Sequence, residues 1–213
     1  MDRSFTPGIL GATVVAGSAI LSAYQFFVRP WQLRWGATDV EVVRPMPGDE
    51  IVKRPTFNAT RAVTIRAQPE EIWPWIVQIG MNRAGWYSYD LLDNLKRPSA
   101  WDVLPQFQSP KIGDVIPISP DEKHGPYVKD FDPERWMLWW DGKDGMSWAW
   151  GLYPVDETHT RLITRVHIRY KWLSPEILFD MLVEFTDIIM MRKSMLGIKE
   201  RAERIGGVES VAD

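Results

Sequence analysis

The chain has 213 residues, with 25 Lys and Arg against 28 Asp and Glu, so its formal net charge is −3. This charge gives no electrostatic reason to expect a nucleic-acid partner, because duplex binders need clustered positive charge. The absence of cysteine excludes disulfides, thiolate metal sites and a cysteine nucleophile. The 12 Trp residues are unusual, since bulky indoles with one N–H donor line cores, pockets and membrane interfaces.

The N-terminal segment predicts a membrane anchor. No charged residue lies between Arg3 and Arg29. A helix over this run reaches roughly 37 Å, which exceeds the hydrocarbon core of about 30 Å. We therefore expect residues 1–30 to be a single transmembrane anchor, in contact with the membrane at residues 6–28. A cleaved signal peptide and a buried helix are the alternatives, and the length of the apolar run favours the anchor.

The charges that flank this segment predict its orientation. Arg29, Arg34 and Arg44 follow the span, whereas only Arg3 precedes it. The positive-inside rule then favours the cytoplasmic side for the soluble domain. The predicted localisation is thus a single-pass membrane protein.

The first part of the soluble region alternates between irregular and regular segments. Residues 31–58 are rich in proline with little periodicity, and they predict an extended lead-in rather than a packed element. Residues 59–67 alternate as a strand, in which the charged Arg61 falls on the apolar face. Two short helical stretches are predicted next, at residues 69–79 and 88–95.

The second part predicts an antiparallel sheet and a long helix. The strand candidates are residues 114–118, 126–130, 135–140, 147–153 and 160–172. The last candidate has one apolar face and one charged face, as in a sheet that is covered on one side. An apolar stripe from Ser174 to about Ile205 predicts the helix, which Gly206 and Gly207 end. The domain is thus expected at residues 59–205, followed by a disordered tail at 206–213.

Four segments carry a resemblance to a known family. They are RPMPGDE at 44–50, ATRAVTIRAQPEEIWPWIVQIGMNRAGWYSYD at 59–90, IGDVIPI at 112–118 and THTRLITR at 158–165. The chain resembles the SRPBCC superfamily of START-related and polyketide cyclase-like proteins, and within it a bacterial, membrane-anchored branch. The resemblance implies an α+β helix-grip fold, in which a curved antiparallel sheet wraps around a long C-terminal helix. It implies no catalytic set, because this fold carries binders, transfer proteins and some enzymes.

Residues 81–90, with the sequence MNRAGWYSYD, are the strongest candidate for a ligand site. Their aromatic planes and polar groups suit the mouth of a cavity. The candidate ligand-binding residues are Arg83, Trp86, Tyr87, Tyr89 and Asp90. The alternative is a structural loop in which Trp86 fills the core and Arg83 pairs with Asp90, because aromatic side chains more often pack than bind.

Arg61 is the second candidate. A charge on the dry face of a strand needs a partner, because an isolated buried charge is too costly. The partner is either an internal carboxylate such as Asp90 or Asp93, or a ligand anion. We favour the internal ion pair because it requires no further molecule.

Tryptophans on neighbouring strand candidates form the third group. Trp136, Trp148 and Trp150 are candidate ligand-binding residues. With Trp140 they form one pair four residues apart and one pair two residues apart, and each pair shares a face of its strand. They either line an apolar cavity between sheet and helix or fill it, and the sequence leaves both open.

No metal or cofactor is expected. His124, His159 and His167 lack metal-ligand spacing and are predicted to be exposed. Nucleophile-elbow, Walker and dinucleotide-binding motifs are absent from the sequence.

Three functions remain open at this point. The favoured one is a membrane-tethered binding or transfer module for a hydrophobic small molecule or lipid. The second is a cyclase or dehydratase-like enzyme, in which Arg61, Tyr87, Tyr89 or Asp90 guides proton transfer. The third is a membrane scaffold with a filled core. Neither the ligand nor a protein partner follows from the sequence.

Overall fold

The computed structural model describes Ser22, residues 24–169 and residues 177–209, and within the last segment it describes the side chains of Glu184 and residues 186–204. The predicted anchor lies outside this part of the chain, except for Ser22 and a short π-helical segment, Tyr24–Val28, with the first residues of the helix that follows it. No helix among the described residues is sufficiently long and apolar to cross a membrane.

The order of elements is that of a sheet followed by a long helix. In chain order they are α1 (Arg29–Leu33), α2 (Asp39–Val43), β1 (Phe57–Ile65), α3 (Pro69–Val77), α4 (Asp90–Asp93), a 3₁₀ turn (Pro105–Phe107), β2 (Tyr127–Asp132), β3 (Trp136–Trp140), β4 (Met146–Pro154), β5 (Thr160–Ile168) and α5 (Ile177–Glu209). The strands pair antiparallel in the order β1-β5-β4-β3-β2. This α+β arrangement fits the predicted helix-grip fold.

The inner face of the sheet packs against α3 and α5. Ile65 of β1, Trp150 of β4 and Trp75 of α3 are fully buried in one cluster with Met195 and Ile198 of α5. Burying each such side chain contributes about 1.5–3 kcal/mol relative to leaving it exposed. The second half of α5 is therefore fixed against the sheet by apolar contact.

The outer face of the sheet is covered, although the alternation of the last strand predicted that it would be wet. Arg165 is only 5% exposed, and its guanidinium donates hydrogen bonds to the backbone oxygens of Glu41, Val42 and Arg44, each at 2.8 Å. His167, predicted to be exposed, is buried on the same face. The covering segment lies in the stretch that proline content predicted as extended, and it contains α2. The other helix of this stretch, α1, packs against the inner face instead, where Leu33 contacts the cluster of Phe57, Ala59 and Val166.

Two helical predictions differ from the structure in length. The predicted stretch at 88–95 is a single turn, α4, and the nearby Leu91 and Leu95 are exposed. The long helix continues to Glu209, beyond the predicted end near residue 205.

The segment predicted as a strand at 114–118 forms only an isolated bridge, between Val115 and Tyr127. The segment still hydrogen-bonds to the residues around the start of β2, since the N–H of Ile116 donates to Pro126 O at 2.8 Å. Pro117 and Pro126 lack the N–H groups that a continuous ladder needs, so the pairing is interrupted.

Arg165→Ala is expected to lower the free energy of unfolding by at least about 3 kcal/mol. The change removes the counter-charge of Asp49, which lies 2.8 Å from Arg165 Nη1, and takes the Arg165 donor from three backbone carbonyls. Urea denaturation of the full chain, followed by tryptophan fluorescence, measures the loss. Arg135→Ala, which breaks an exposed pair with Asp132, is the control and should cost less than about 1 kcal/mol. Equal losses in the two variants would show that the covering segment is not held by Arg165.

Candidate functional site

A cavity of about 340 Å³ lies between the loop that follows α3, strand β4 and the middle of α5. Trp86 and Met81 line it from the loop, Trp148 from β4, and Met190 and Met191 from α5. This volume is at the small end of the range of about 300–1,000 Å³ that is typical of ligand pockets. A hollow of about 430 Å³ elsewhere on the domain is lined by the charged Glu70, Glu134 and Arg135 together with prolines, Trp136, Leu152 and Tyr153. It therefore mixes charged and aromatic groups, whereas the cavity beside Trp86 has a mainly apolar wall.

The loop is positioned by two glycines. Gly80 and Gly85 exchange backbone hydrogen bonds of 3.0 and 3.1 Å, which closes a tight turn after α3. Gly85 has a φ of 81°, and a Cβ atom there would lie 2.4 Å from the Ser99 Oγ. Only glycine fits this position without displacing its neighbours. The turn directs Trp86 toward the cavity.

Stacked indoles form the apolar wall. The rings of Trp86 and Trp148 are 5.8 Å apart at an interplanar angle of 17°, and Trp139 packs edge-on against both. Trp148 also donates a hydrogen bond from Nε1 to Thr164 Oγ1 at 2.8 Å, which fixes its orientation. The wall is therefore held in place before any ligand arrives.

Two carboxylates face the same cavity. Asp93, at the end of α4, is 8% exposed, and neither of its oxygens accepts a hydrogen bond of good geometry. Burial raises the pKa of the Asp93 carboxyl to about 6, opposed by the nearby Ser88 hydroxyl and supported by the charge of Asp90. At neutral pH the cavity thus contains a mostly ionised group that has no counter-charge among the described residues.

The second carboxylate, Asp187 of α5, has a partner behind the cavity wall. Its Oδ2 lies 2.6 Å from Arg61 Nη1, while Arg61 Nε donates a hydrogen bond to Gln32 O at 2.9 Å. The side chain of Arg61 is 1% exposed and that of Asp187 is 25% exposed. Burial raises the pKa of Asp187, although the charge of Arg61 acts in the opposite direction. The internal ion pair predicted for Arg61 is therefore present, but with Asp187 instead of Asp90 or Asp93.

The rim of the cavity is apolar and exposed. Leu92 and Ile118 line the cavity and are exposed to more than half of their surface. Leu91 and Ile189, which are neighbours of lining residues in sequence, are also exposed. An apolar ligand would meet an apolar surface before it entered.

Among the predicted site residues, the structure brings Trp86 and Trp148 together at the cavity. Arg61 does not line the cavity, but it forms an ion pair with Asp187, which does. Trp150 is fully buried in the inner core beside Trp148, with their rings 5.5 Å apart. Trp136 packs with the cluster on the outer face of the sheet, so it lies away from the cavity.

The other predicted loop residues have structural contacts. Tyr87 is buried and its hydroxyl donates to Trp75 O at 3.1 Å. Arg83 donates to Val77 O at 2.8 Å, and it lines a separate hollow. These contacts hold the loop that carries Trp86.

The remaining two loop residues lie at the start of α4. Asp90 accepts hydrogen bonds from the backbone N–H and the hydroxyl of Ser99, at 3.1 and 2.5 Å. It does not form the pair with Arg83 that the structural alternative required. Tyr89 is exposed, and its backbone oxygen accepts the N–H groups of Leu92 and Asp93.

Sequence reasoning did not identify the polar cavity residues Asp187 and Ser194, and it considered Asp93 only as a partner for Arg61. A signal was present, because Asp187 is one turn before Met190 and Met191 and two turns before Ser194. A charge within the apolar stripe of a helix indicates a buried partner or a polar cavity.

Comparison with known proteins gives structural similarity only. No protein-family model matches the sequence, and no curated protein matches it significantly. A polyketide cyclase-like protein from Corynebacterium glutamicum is similar with a TM-score of 0.45 and 15% identity, over 71% of this chain and 92% of that chain. A conserved protein of unknown function from Enterococcus faecalis is similar with a TM-score of 0.39 and 15% identity, over 71% and 74% of the two chains.

A third similar structure is the di-domain ARO/CYC protein StfQ of the steffimycin biosynthetic pathway. Its TM-score is 0.40 at 11% identity, over 70% of this chain and 51% of that chain. The structural neighbours thus include proteins described as polyketide cyclase-like and as ARO/CYC. Because the identities and TM-scores are low, ligand and reaction have to be inferred from the cavity itself.

Asp93→Asn is expected to stabilise the ligand-free chain at neutral pH by an amount on the order of 2 kcal/mol. The pKa of Asp93 is about 6 in the folded state, above the ordinary 3.8, so the folded chain holds this proton more tightly. The associated stability is complete below about pH 4 and is lost as the pH rises through about 6. The free energy of unfolding of the variant should therefore rise above that of the wild type as the pH increases from about 4 to about 6. Urea denaturation at several pH values measures it, with the exposed Asp144→Asn as control, and a difference that does not depend on pH would contradict the assignment.

Arg61→Met is expected to lower the free energy of unfolding by about 3–5 kcal/mol, because it leaves the largely buried Asp187 without its counter-charge. The double variant Arg61→Met with Asp187→Leu should recover most of this loss, since both charges are then removed. Chemical denaturation of the full chain measures both variants. A double variant no more stable than Arg61→Met would show that Arg61 acts through contacts other than Asp187.

Proposed function

We propose that the chain is a membrane-tethered binding or transfer module for a hydrophobic small molecule or lipid, which occupies the cavity between the sheet and α5. The cavity itself carries this proposal. It is a hollow of about 340 Å³ walled by Trp86, Trp148 and two methionines of α5, within an inner face that is otherwise closely packed. Apolar walls with a few polar groups are typical of small-molecule sites.

Exchange with a bilayer is supported by a contact between α1 and α5. Arg29, which follows the predicted membrane-contacting stretch, lies 2.8 Å from Glu184 on α5. Asp187 and Met190, one to two turns further along that helix, line the cavity. The proposed tether would thus hold the cavity close to a reservoir of apolar molecules. In this proposal the domain is on the cytoplasmic side, as the flanking arginines favour.

A second candidate, a cyclase or dehydratase-like enzyme, is favoured by Asp93. A carboxylate with a pKa of about 6 in an apolar cavity is suited to general acid or base catalysis near neutral pH. The proton carriers considered from the sequence, Tyr87, Tyr89 and Asp90, do not line this cavity. In this alternative Asp93 takes that role, and the cavity binds a substrate.

Decanol, a neutral apolar probe, is expected to stabilise the full chain in phosphatidylcholine nanodiscs. A ligand that binds only the folded state adds about 2.7 kcal/mol at 100 times its Kd. Leu92→Trp places an indole at the exposed rim and should abolish this gain by blocking entry. Leu91→Trp is the matched control, since Leu91 precedes Leu92 in the same helix and is equally exposed, at 65% against 67%.

Denaturation of the wild type and of both variants, with and without decanol, measures this effect. Equal stabilisation of Leu92→Trp and Leu91→Trp would show that decanol binds elsewhere. No stabilisation of the wild type would contradict the binding function itself.

A further inference from the structure

The polar groups in the cavity limit the ligands that it can hold, provided that the proposed binding function is correct. We propose that the cavity selects a hydrophobic amine, whose ammonium group contacts Asp93 while its apolar part lies against Trp86 and Trp148. Two buried groups of the lining, the Asp93 carboxylate and the Ser194 hydroxyl, have no hydrogen-bond partner among the described residues. The lining offers hydrogen-bond acceptors, and its described residues include no cation.

Asp93 is a buried carboxylate that lacks a well-placed hydrogen-bond donor among the described residues. The residue is more than nine-tenths buried and lines the cavity, yet neither carboxylate oxygen has a hydrogen bond of good geometry within the described chain. The hydroxyl of Ser88 lies near Asp93 and opposes the rise of its pKa, but its hydrogen bond of good geometry goes to Met190 O at 3.0 Å. A buried carboxylate without donors is costly, so a ligand that brings donors gains binding energy from this position.

The other polar groups of the lining can accept hydrogen bonds from a donor. Ser194 is 5% exposed and its hydroxyl has no partner among the described residues. The oxygen of Ser88 can still accept hydrogen bonds, as can the carboxylate of Asp187. An alkylammonium group has three N–H donors and no acceptor, which complements such a lining.

Charge distinguishes an amine from other amphipathic ligands. No Lys, Arg or His lines the cavity in the part of the chain that the structure describes. Arg61 pairs with Asp187 and donates to the carbonyl of Gln32. Its Nη2 is buried without a hydrogen-bond partner among the described residues, but Arg61 does not line the cavity. A fatty acid or a phosphate would therefore place its anion beside two carboxylates without a cation to bind it. A cation has favourable partners instead, since the nearby indole rings attract positive charge as well.

The ionisation of Asp93 supports the same conclusion. Burial raises its pKa to about 6, which leaves it mostly charged at neutral pH. A bound ammonium group would supply the missing counter-charge, in the way that Arg61 does for Asp187.

Three probes that differ only in the head group test this proposal: decylamine, decanol and decanoate. The full chain in phosphatidylcholine nanodiscs is denatured at pH 7 with each probe over a range of concentrations, and each Kd follows from the stabilisation. We expect decylamine to bind at least tenfold more tightly than decanol, and decanoate more weakly than decanol. Partition of the probes into the lipid is the same for every variant, so comparison between variants removes it.

Asp93→Asn keeps the shape of the side chain and removes its charge, so the ratio of the decanol and decylamine Kd values should fall about tenfold from its wild-type value. Asp144→Asn is the control, because it makes the same chemical change at an exposed position outside the cavity, and it should keep the wild-type ratio. The stability of each ligand-free variant is measured in parallel, which shows that the variants are folded.

The possible outcomes separate this inference from the proposed function. One outcome is that Leu92→Trp abolishes decanol binding while decylamine binds the wild type no better than decanol does. Another is that Asp93→Asn keeps the preference for decylamine. In either case the amine inference is wrong and the binding function stands. If decanoate binds best, the ligand is an acid and the inference is wrong. If none of the probes stabilises the chain, the inference fails together with the binding function.

Discussion

The buried guanidinium of Arg61 fixes the relation between three elements of the fold. It lies on the inner face of β1, contacts the carbonyl of Gln32 in α1, and forms an ion pair with Asp187 of α5. Because a buried charge without a partner costs several kcal/mol, α5 has to keep Asp187 above β1. The helix joins the apolar core one turn later, at Met191, and is fully buried in it at Met195. The cavity lies beside the turn of α5 that carries Asp187, so the same residue lines the cavity and holds Arg61.

The two faces of the sheet satisfy buried polar groups in different ways. On the outer face, Arg165 donates to several backbone carbonyls of the covering segment and to Asp49, so this charge is compensated within the chain. On the inner face, Asp93 has no comparable set of donors among the described residues. Tyr87 and Asp90, in the same loop, use their polar atoms to fix the backbone. The loop is thus rigidly held, and the group left without partners is the one that faces the cavity.

The sheet and the long helix could be predicted from local patterns, because alternation and a helical apolar stripe are visible within single segments. The covered outer face could not, because it depends on contacts between Arg165 and residues more than 100 positions away in sequence. The position of Trp136 illustrates a second limit. Alternation shows which residues of a strand share a face, but the register with the neighbouring strands decides which face turns inward. The strand pairing assigns Trp148 to the cavity side and Trp136 to the other face.

The tryptophans show why the sequence left open whether the interior is filled or hollow. Trp75, Trp139 and Trp150 are fully buried and fill the core, whereas Trp86 and Trp148 are half-buried and border the cavity. The interior is thus filled at one end and open at the other. A cavity of about 340 Å³ has room for a small or single-chain apolar molecule. Since its buried polar groups are mainly acceptors, size and polarity together favour a compact apolar ligand with a hydrogen-bond donor at one end.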